Sequence, residues 1–191
     1  SDLVDAKYVK IQNTIELNQL TTDITDLVIG SNCCNDVTSL KLSEYKQLRW
    51  LKIGDDCFEN VNEFVIDGLE NLKVIKIGAR SLTHIKSTNE SSKKAAINPV
   101  FGYNNTSFGS NSGSFVSQLN TSHSFHLLNC IRLKLLEIGS FSFSDYGGGF
   151  ELKNLPLLSS IRIGNIDNDS YNFCYSSFVI EGIIDVTIDN E

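Results

Sequence analysis

The side chains best suited to binding recur as a cluster with one fixed internal spacing. Arg49-Trp50-x-Lys52, Lys73-Val74-x-Lys76, Lys134-Leu135-x-Glu137 and Ser159-Ser160-x-Arg162 share it, and Thr25-Asp26-x-Val28 carries a less basic form. Tryptophan and arginine are the residue types that most often anchor an interface, and apolar side chains rimmed by charge mark interaction surfaces. Catalytic chemistry has no comparable pattern. The serines lack a nucleophile-elbow context, and no pair of carboxylates sits in a recognisable frame. Gly147-Gly148-Gly149 neither follows a long parallel strand nor opens a helix, so it does not read as a phosphate loop. His84, His123 and His126 flank one polar segment and are expected to converge at its base. A His-x-x-His spacing without cysteine or a paired carboxylate is a weak zinc signal, so no metal or cofactor is expected.

Composition narrows the partners. The net charge of −7 argues against nucleic acid, which needs a basic face for its phosphates. No run approaches the roughly 20 apolar residues that span a bilayer. The chain begins at Ser1 and contains no methionine, which reads as a processed form or an excised fragment. Its five cysteines cannot all pair with one another, and they are too sparse for a disulfide-stapled miniprotein.

The elements that must position the clusters come from a repeat. Ile-Gly recurs at Ile29-Gly30, Ile53-Gly54, Ile77-Gly78, Ile138-Gly139 and Ile163-Gly164, with intervals of 24, 24, 61 and 25 residues. Counting back from the glycine, apolar residues return at offsets of 1, 3, 6, 9, 12 and 14. For Gly78 these are Ile77, Ile75, Leu72, Leu69, Ile66 and Phe64. Before Gly30 the pattern carries one extra residue, through Ile15, Leu17, Leu20, Ile24, Leu27 and Ile29. Two period-2 stretches per unit predict two short strands with one buried face each, and the three-residue steps between them predict narrow turns. One unit cannot bury its apolar edge alone, so the units must stack. The residues that alternate with the buried set then line one sheet face: Arg49, Trp50, Lys52, Lys73, Val74, Lys76, Lys134, Leu135, Glu137 and Arg162.

The core string reads Leu48-x-x-Leu51-x-Ile53, Leu72-x-x-Ile75-x-Ile77, Leu133-x-x-Leu136-x-Ile138 and Leu158-x-x-Ile161-x-Ile163. It resembles the leucine-rich repeat. Ile53-Gly54-x-x-Cys57-Phe58, Ile77-Gly78-x-x-Ser81-Leu82 and Asn129-Cys130-x-x-Leu133 make it most similar to the BspA-like class, over residues 14–188 apart from one insertion. The resemblance implies a mainly β repeat solenoid with short parallel strands and little or no α-helix. It also implies a surface-exposed adhesion or recognition protein.

One domain is expected. Residues 1–13 form an N-terminal cap, 14–82 and 125–182 the repeats, 83–124 an insertion, and 183–191 a truncated last repeat or cap in which Val186 and Ile188 take the final strand. In the insertion 23 of 42 residues are Ser, Asn, Thr or Gly, so it reads as a long excursion loop. Its aromatic residues Phe101, Tyr103, Phe108 and Phe115 are available to dock on the flank of the repeats. Asn89, Asn104, Asn105, Asn120 and Asn168 head Asn-x-Ser/Thr tripeptides and are possible N-glycosylation sites, in keeping with a secreted or cell-surface location. Cys33 and Cys57 share one repeat column, where a disulfide between neighbouring coils competes with a reading as small buried turn residues. Cys34 and Cys130 stand where other units place core residues. The function expected is non-enzymatic binding of a protein or glycan through the sheet face. The alternative is a structural protein that self-associates end to end into a fibre through its open ends.

Overall fold

The computed structural model describes residues 5–87, 122–165, 170–173, 176–184 and 187–189, the last three by their backbone. The described residues are mainly β, with 4% helix. One helix, α1 (Thr14–Asn18), accompanies strands that alternate between two parallel sheets. Sheet A contains β1 (Tyr8–Ile11), β2 (Asp26–Ile29), β4 (Trp50–Ile53), β6 (Val74–Ile77), β8 (Leu135–Ile138), β10 (Ser160–Ile163) and β12 (Thr187–Asp189), in that spatial order. Sheet B contains β3 (Leu40–Lys41), β5 (Glu63–Asp67), β7 (Ser124–Leu128), β9 (Gly149–Lys153) and β11 (Ser177–Glu181), also in sequence order. The repeats ending at Gly54, Gly78, Gly139 and Gly164 therefore each give one strand to each sheet, as their two period-2 stretches predict.

The buried columns are the six predicted from the glycine. Offsets 1 and 3 face inward from sheet A, where Leu51 pairs with Ile75 and Ile53 with Ile77. Offsets 12 and 14 face inward from sheet B, where Phe64 pairs with Phe125 and Phe125 with Phe150. Their ring centroids lie 5.7 and 5.5 Å apart, and Phe178 continues the row 5.0 Å from Phe150. Burying each such ring is worth roughly 1.5–3 kcal/mol, so this row is a large part of what binds one repeat to the next. The steps between offsets 9 and 6 are single turns closed by i→i+3 bonds: Leu48 N–H to Tyr45, Leu72 to Leu69, Leu133 to Cys130 and Leu158 to Leu155.

After each glycine the chain turns sharply, and the turns are hydrogen-bonded from repeat to repeat. Residues two and four past the glycine have positive φ, as in Asp56 and Phe58, Arg80 and Leu82, and Phe141 and Phe143. A left-handed conformation costs a side-chain-bearing residue about 1–2 kcal/mol. It is offset here because Phe58, Leu82 and Phe143 are fully buried and their N–H groups bond the carbonyls of Cys33, Cys57 and Ser81 one repeat earlier. The residue between them completes the turn. Ser81 Oγ donates to the Gly54 carbonyl at 2.7 Å and accepts from Cys57 N–H at 3.0 Å, and Ser142 repeats both bonds on Gly78 and Ser81.

Ile-Gly recurs for a steric reason. A Cβ at Gly78 would stand 2.7 Å from the carbonyl carbon of Gly54, and one at Gly139 would stand 2.5 Å from that of Gly78. The backbones stack too closely there for any side chain.

The first repeat differs from expectation. Ile15 and Leu17, predicted to alternate on a strand, lie in helix α1 instead. Asn13 caps it by accepting from Glu16 N–H, and the Glu16 carboxylate takes Gln12 N–H at 2.6 Å, a reciprocal capping pair that favours helix at this point. Residues 8–11, expected to cover the first coil, are themselves the edge strand of sheet A. At the other end β12 pairs with β10, with Ile188 opposite Ile161, while β11 is exposed along its whole length. Phe178 is 56% and Ile180 51% exposed, although both continue core columns.

Two alanine substitutions separate packing from conformation. Gly68 has φ +69° and open space around its Cβ position, so Gly68→Ala is expected to cost only about 1 kcal/mol. Gly139→Ala must push neighbouring backbone apart and is expected to cost several times more, read as the difference between the two denaturant midpoints.

Candidate functional site

The outward side chains of sheet A form two rows perpendicular to its strands, because parallel pairing puts equivalent residues side by side. One row runs Tyr8, Asp26, Trp50, Val74, Leu135 and Ser160. The other runs Lys10, Val28, Lys52, Lys76, Glu137 and Arg162. At the margin, just before the strands, Arg49, Lys73 and Lys134 form a third row held by backbone bonds, Lys73 N–H to Arg49 and Lys134 N–H to Lys73. Of the residues expected on this face, Trp50, Lys52, Val74, Lys76, Leu135, Glu137 and Arg162 lie in register within its strands, and Arg49, Lys73 and Lys134 immediately precede those strands. Trp50 is 45% exposed in mid-sheet, with Val74 and Leu135 half-buried beside it.

The charges on this face are unevenly matched. Asp26 pairs with Arg49 at 3.4 Å, and Glu137 stands between Lys76 at 3.9 Å and Arg162 at 3.8 Å. Among the described residues, Lys52, Lys73 and Lys134 have no carboxylate partner, and all three are exposed. Lys52 also lies directly opposite Lys76 in the strand register. Like charges in that position are destabilising and bring nothing to the fold.

Tyr8 and Lys10 belong to this face and were missed by reading residues 1–13 as a cap. The signal was present: Tyr8-Val9-Lys10-Ile11 repeats the pattern of Trp50-Leu51-Lys52-Ile53.

The other candidates divide. His84 and His123 do meet at the base of the insertion, where Asp145 takes the His84 backbone N–H and lies 4.0 Å from the His123 ring. His126 does not join them. Its place in β7 turns it outward on sheet B, where Nδ1 lies 3.1 Å from Glu151. Cys33 is paired with Cys34 rather than with Cys57, whose thiol points to the Gly30 carbonyl at 3.1 Å. Cys57 and Cys130 are buried free thiols, and burial raises both pKa values, that of Cys130 to about 11. Cys34 is core, as expected. Gly149 opens β9, and Gly148 N–H bonds the His123 carbonyl, so the glycine run serves the sheet. No group of three or more metal-ligating side chains occurs among the described residues. Asn89, Asn104, Asn105, Asn120 and Asn168 lie outside those residues, as do Phe101, Tyr103, Phe108 and Phe115. No helix among them is long and apolar enough to cross a membrane. Comparison with known proteins finds no matching family model, no matching curated protein and no matching solved structure.

His123 gives a testable pH effect. Burial lowers its pKa below the ordinary value of 6.5, against the opposing pull of Asp145 and with the help of His84. Unfolded, the ring gains a proton as pH falls through about 6.5, while the folded state resists it. Stability is therefore complete above that pH and lost as pH drops toward the folded value. Melting temperature is expected to fall between pH 7 and 5, and His123→Gln is expected to flatten that slope whatever it does to the plateau.

Proposed function

We propose that this chain is a non-enzymatic binding module, a BspA-like leucine-rich-repeat solenoid that uses the sheet A face to bind a protein or glycan at the cell surface or outside the cell. The carrying observation is Trp50, a large aromatic ring 45% exposed within a seven-stranded sheet, with Val74 and Asp26 beside it in register and Lys52 on the same face of its own strand. Such an arrangement costs solubility and adds little to the core, and exposed Trp with neighbouring cations is the composition of an interface centre. The paired period-2 strands and the stacked Ile-Gly turns support the repeat assignment. The buried, raised-pKa thiols offer no reactive nucleophile.

Wild type and the Trp50→Ala/Lys76→Ala double variant are compared on arrays of immobilised glycans and extracellular proteins. The double variant should lose at least about tenfold in affinity for whatever wild type captures, with the melting temperature nearly unchanged. Equal binding by both would move the site off sheet A.

The second reading, end-to-end assembly, is favoured by the bare strand β11. It is opposed at the other end, where α1 occupies the sequence position in which later repeats place a sheet B strand. Filaments that grow with concentration in light scattering would establish it, and Phe178→Asp should then abolish them.

A further inference from the structure

The sheet A face carries enough detail to name the chemistry of its partner, and this step rests on the reading of that face as the binding site. Three rows run across the strands. An apolar strip of Trp50, Val74 and Leu135, bounded in register by Asp26 and Ser160, lies between the marginal residues Arg49, Lys73 and Lys134 and the inner row of Lys52, Lys76, Glu137 and Arg162. Lys73 and Lys134 stand at the margin of the face, immediately before β6 and β8, where both are exposed. From Asp26 to Ser160 the face spans four strand steps, about 19 Å, the length of some 13 helical residues.

We propose that the face takes an acidic amphipathic helix of a protein partner, laid across the strands with its apolar stripe on Trp50, Val74 and Leu135 and its carboxylates on Lys52, Lys73 and Lys134. The charge balance supports this. The chain is net negative, yet these three lysines have no carboxylate among the described residues, whereas Arg49, Lys76 and Arg162 already have one. A partner's acids complete the unpaired cations on both flanks of the strip.

The strip itself argues against a glycan. It has no amide or carboxylate between Trp50 and Leu135, so sugar hydroxyls over Val74 and Leu135 would lose their hydrogen bonds, whereas a leucine would not. A second copy is a poorer occupant. Most of the acids on its sheet B are engaged at home, Glu151 with His126, Glu181 with Lys153 and Asp67 with the Asn129 amide, which leaves Glu63.

The chain contains a single tryptophan, so its fluorescence reports on the site directly. Three probes are titrated into the full chain: a helical peptide of about 18 residues with leucines at i, i+3, i+4 and i+7 flanked by glutamates, the same peptide with lysines for glutamates, and heparin. The acidic peptide is expected to shift Trp50 emission to the blue with an affinity that falls as salt rises. Lys52→Glu/Lys73→Glu/Lys134→Glu is expected to weaken it at least tenfold and to let the basic peptide bind. Lys41→Glu, on the exposed face of sheet B, should change nothing, and circular dichroism checks that both variants fold. If heparin shifts the emission and the acidic peptide does not, the helix proposal is overturned while sheet A remains the binding face. If no probe moves Trp50, the proposal fails, and retained array binding by the Trp50→Ala/Lys76→Ala variant would show that the face itself was misassigned.

Discussion

Each repeat's backbone is completed by its neighbours, in the turns as well as in the strands. Asn32 N–H reaches the Asp55 carbonyl, Asp56 reaches Ala79 and Arg80 reaches Ser140, while Gly54, Gly78 and Gly139 donate backward to Ile29, Ile53 and Ile77. This continuous ladder fixes the spacing of the repeats at the strand separation, about 4.7–4.9 Å, with no slack at the corners. Once that spacing is imposed, the glycine column has no room for Cβ, the column three residues later takes a small hydrogen-bonding side chain, and the rings of sheet B stack on one another. The same spacing lines up the cations of sheet A. The binding face is thus a by-product of the register, which puts any residue type that recurs in the sequence into a row.

The left-handed residues show how strongly the ladder outweighs local preference. Glycine or asparagine would be the ordinary choice at such positions, and Gly68, Asn129, Asn154 and Gly182 follow that rule at the end of the sheet B strands. Past the Ile-Gly pairs the chain instead puts Phe58, Leu82, Phe143 and Phe173 into the same conformation. Each is buried and close to its counterparts, as with the 4.7 Å stack of Phe143 on Phe173. Core volume at the corner outweighs the strain.

Much of this was legible in the residues, because a period of 24 with six apolar columns leaves few ways to bury them. The alternation of strands between two sheets from the second repeat on, the inward columns and the in-register rows of sheet A follow from counting back from glycine. What was hidden depended on interactions between positions that do not share a period. Helix α1 arises from a local capping pair, Asn13 and Glu16, which outweighs the alternation of Ile15 and Leu17. The neutralisation of Lys76 and Arg162 by Glu137 follows from which repeat sits beside which. The direction of the Cys57 thiol is set by the carbonyl of Gly30, which no column reveals. Tyr8 and Lys10 were readable and were missed, because a strand with no unit before it resembles a cap.

The insertion leaves after β6 and returns at β7, yet β5 and β7 pair as closely as strands 25 residues apart do, with Phe64 on Phe125. Thr83, Ser144 and Ile85 clamp its exit through hydroxyl bonds, and Gly148 N–H fastens its return at His123. The two ends of the excursion are thereby anchored independently of what lies between them. The entropic cost of joining two anchored chain ends rises only by about 0.6 kcal/mol each time the number of residues between them doubles. Evolution can therefore lengthen, shorten or replace the sequence between these anchors at small thermodynamic cost, which makes this corner of the stack a natural splice point for new sequence while the rows of sheet A stay in place.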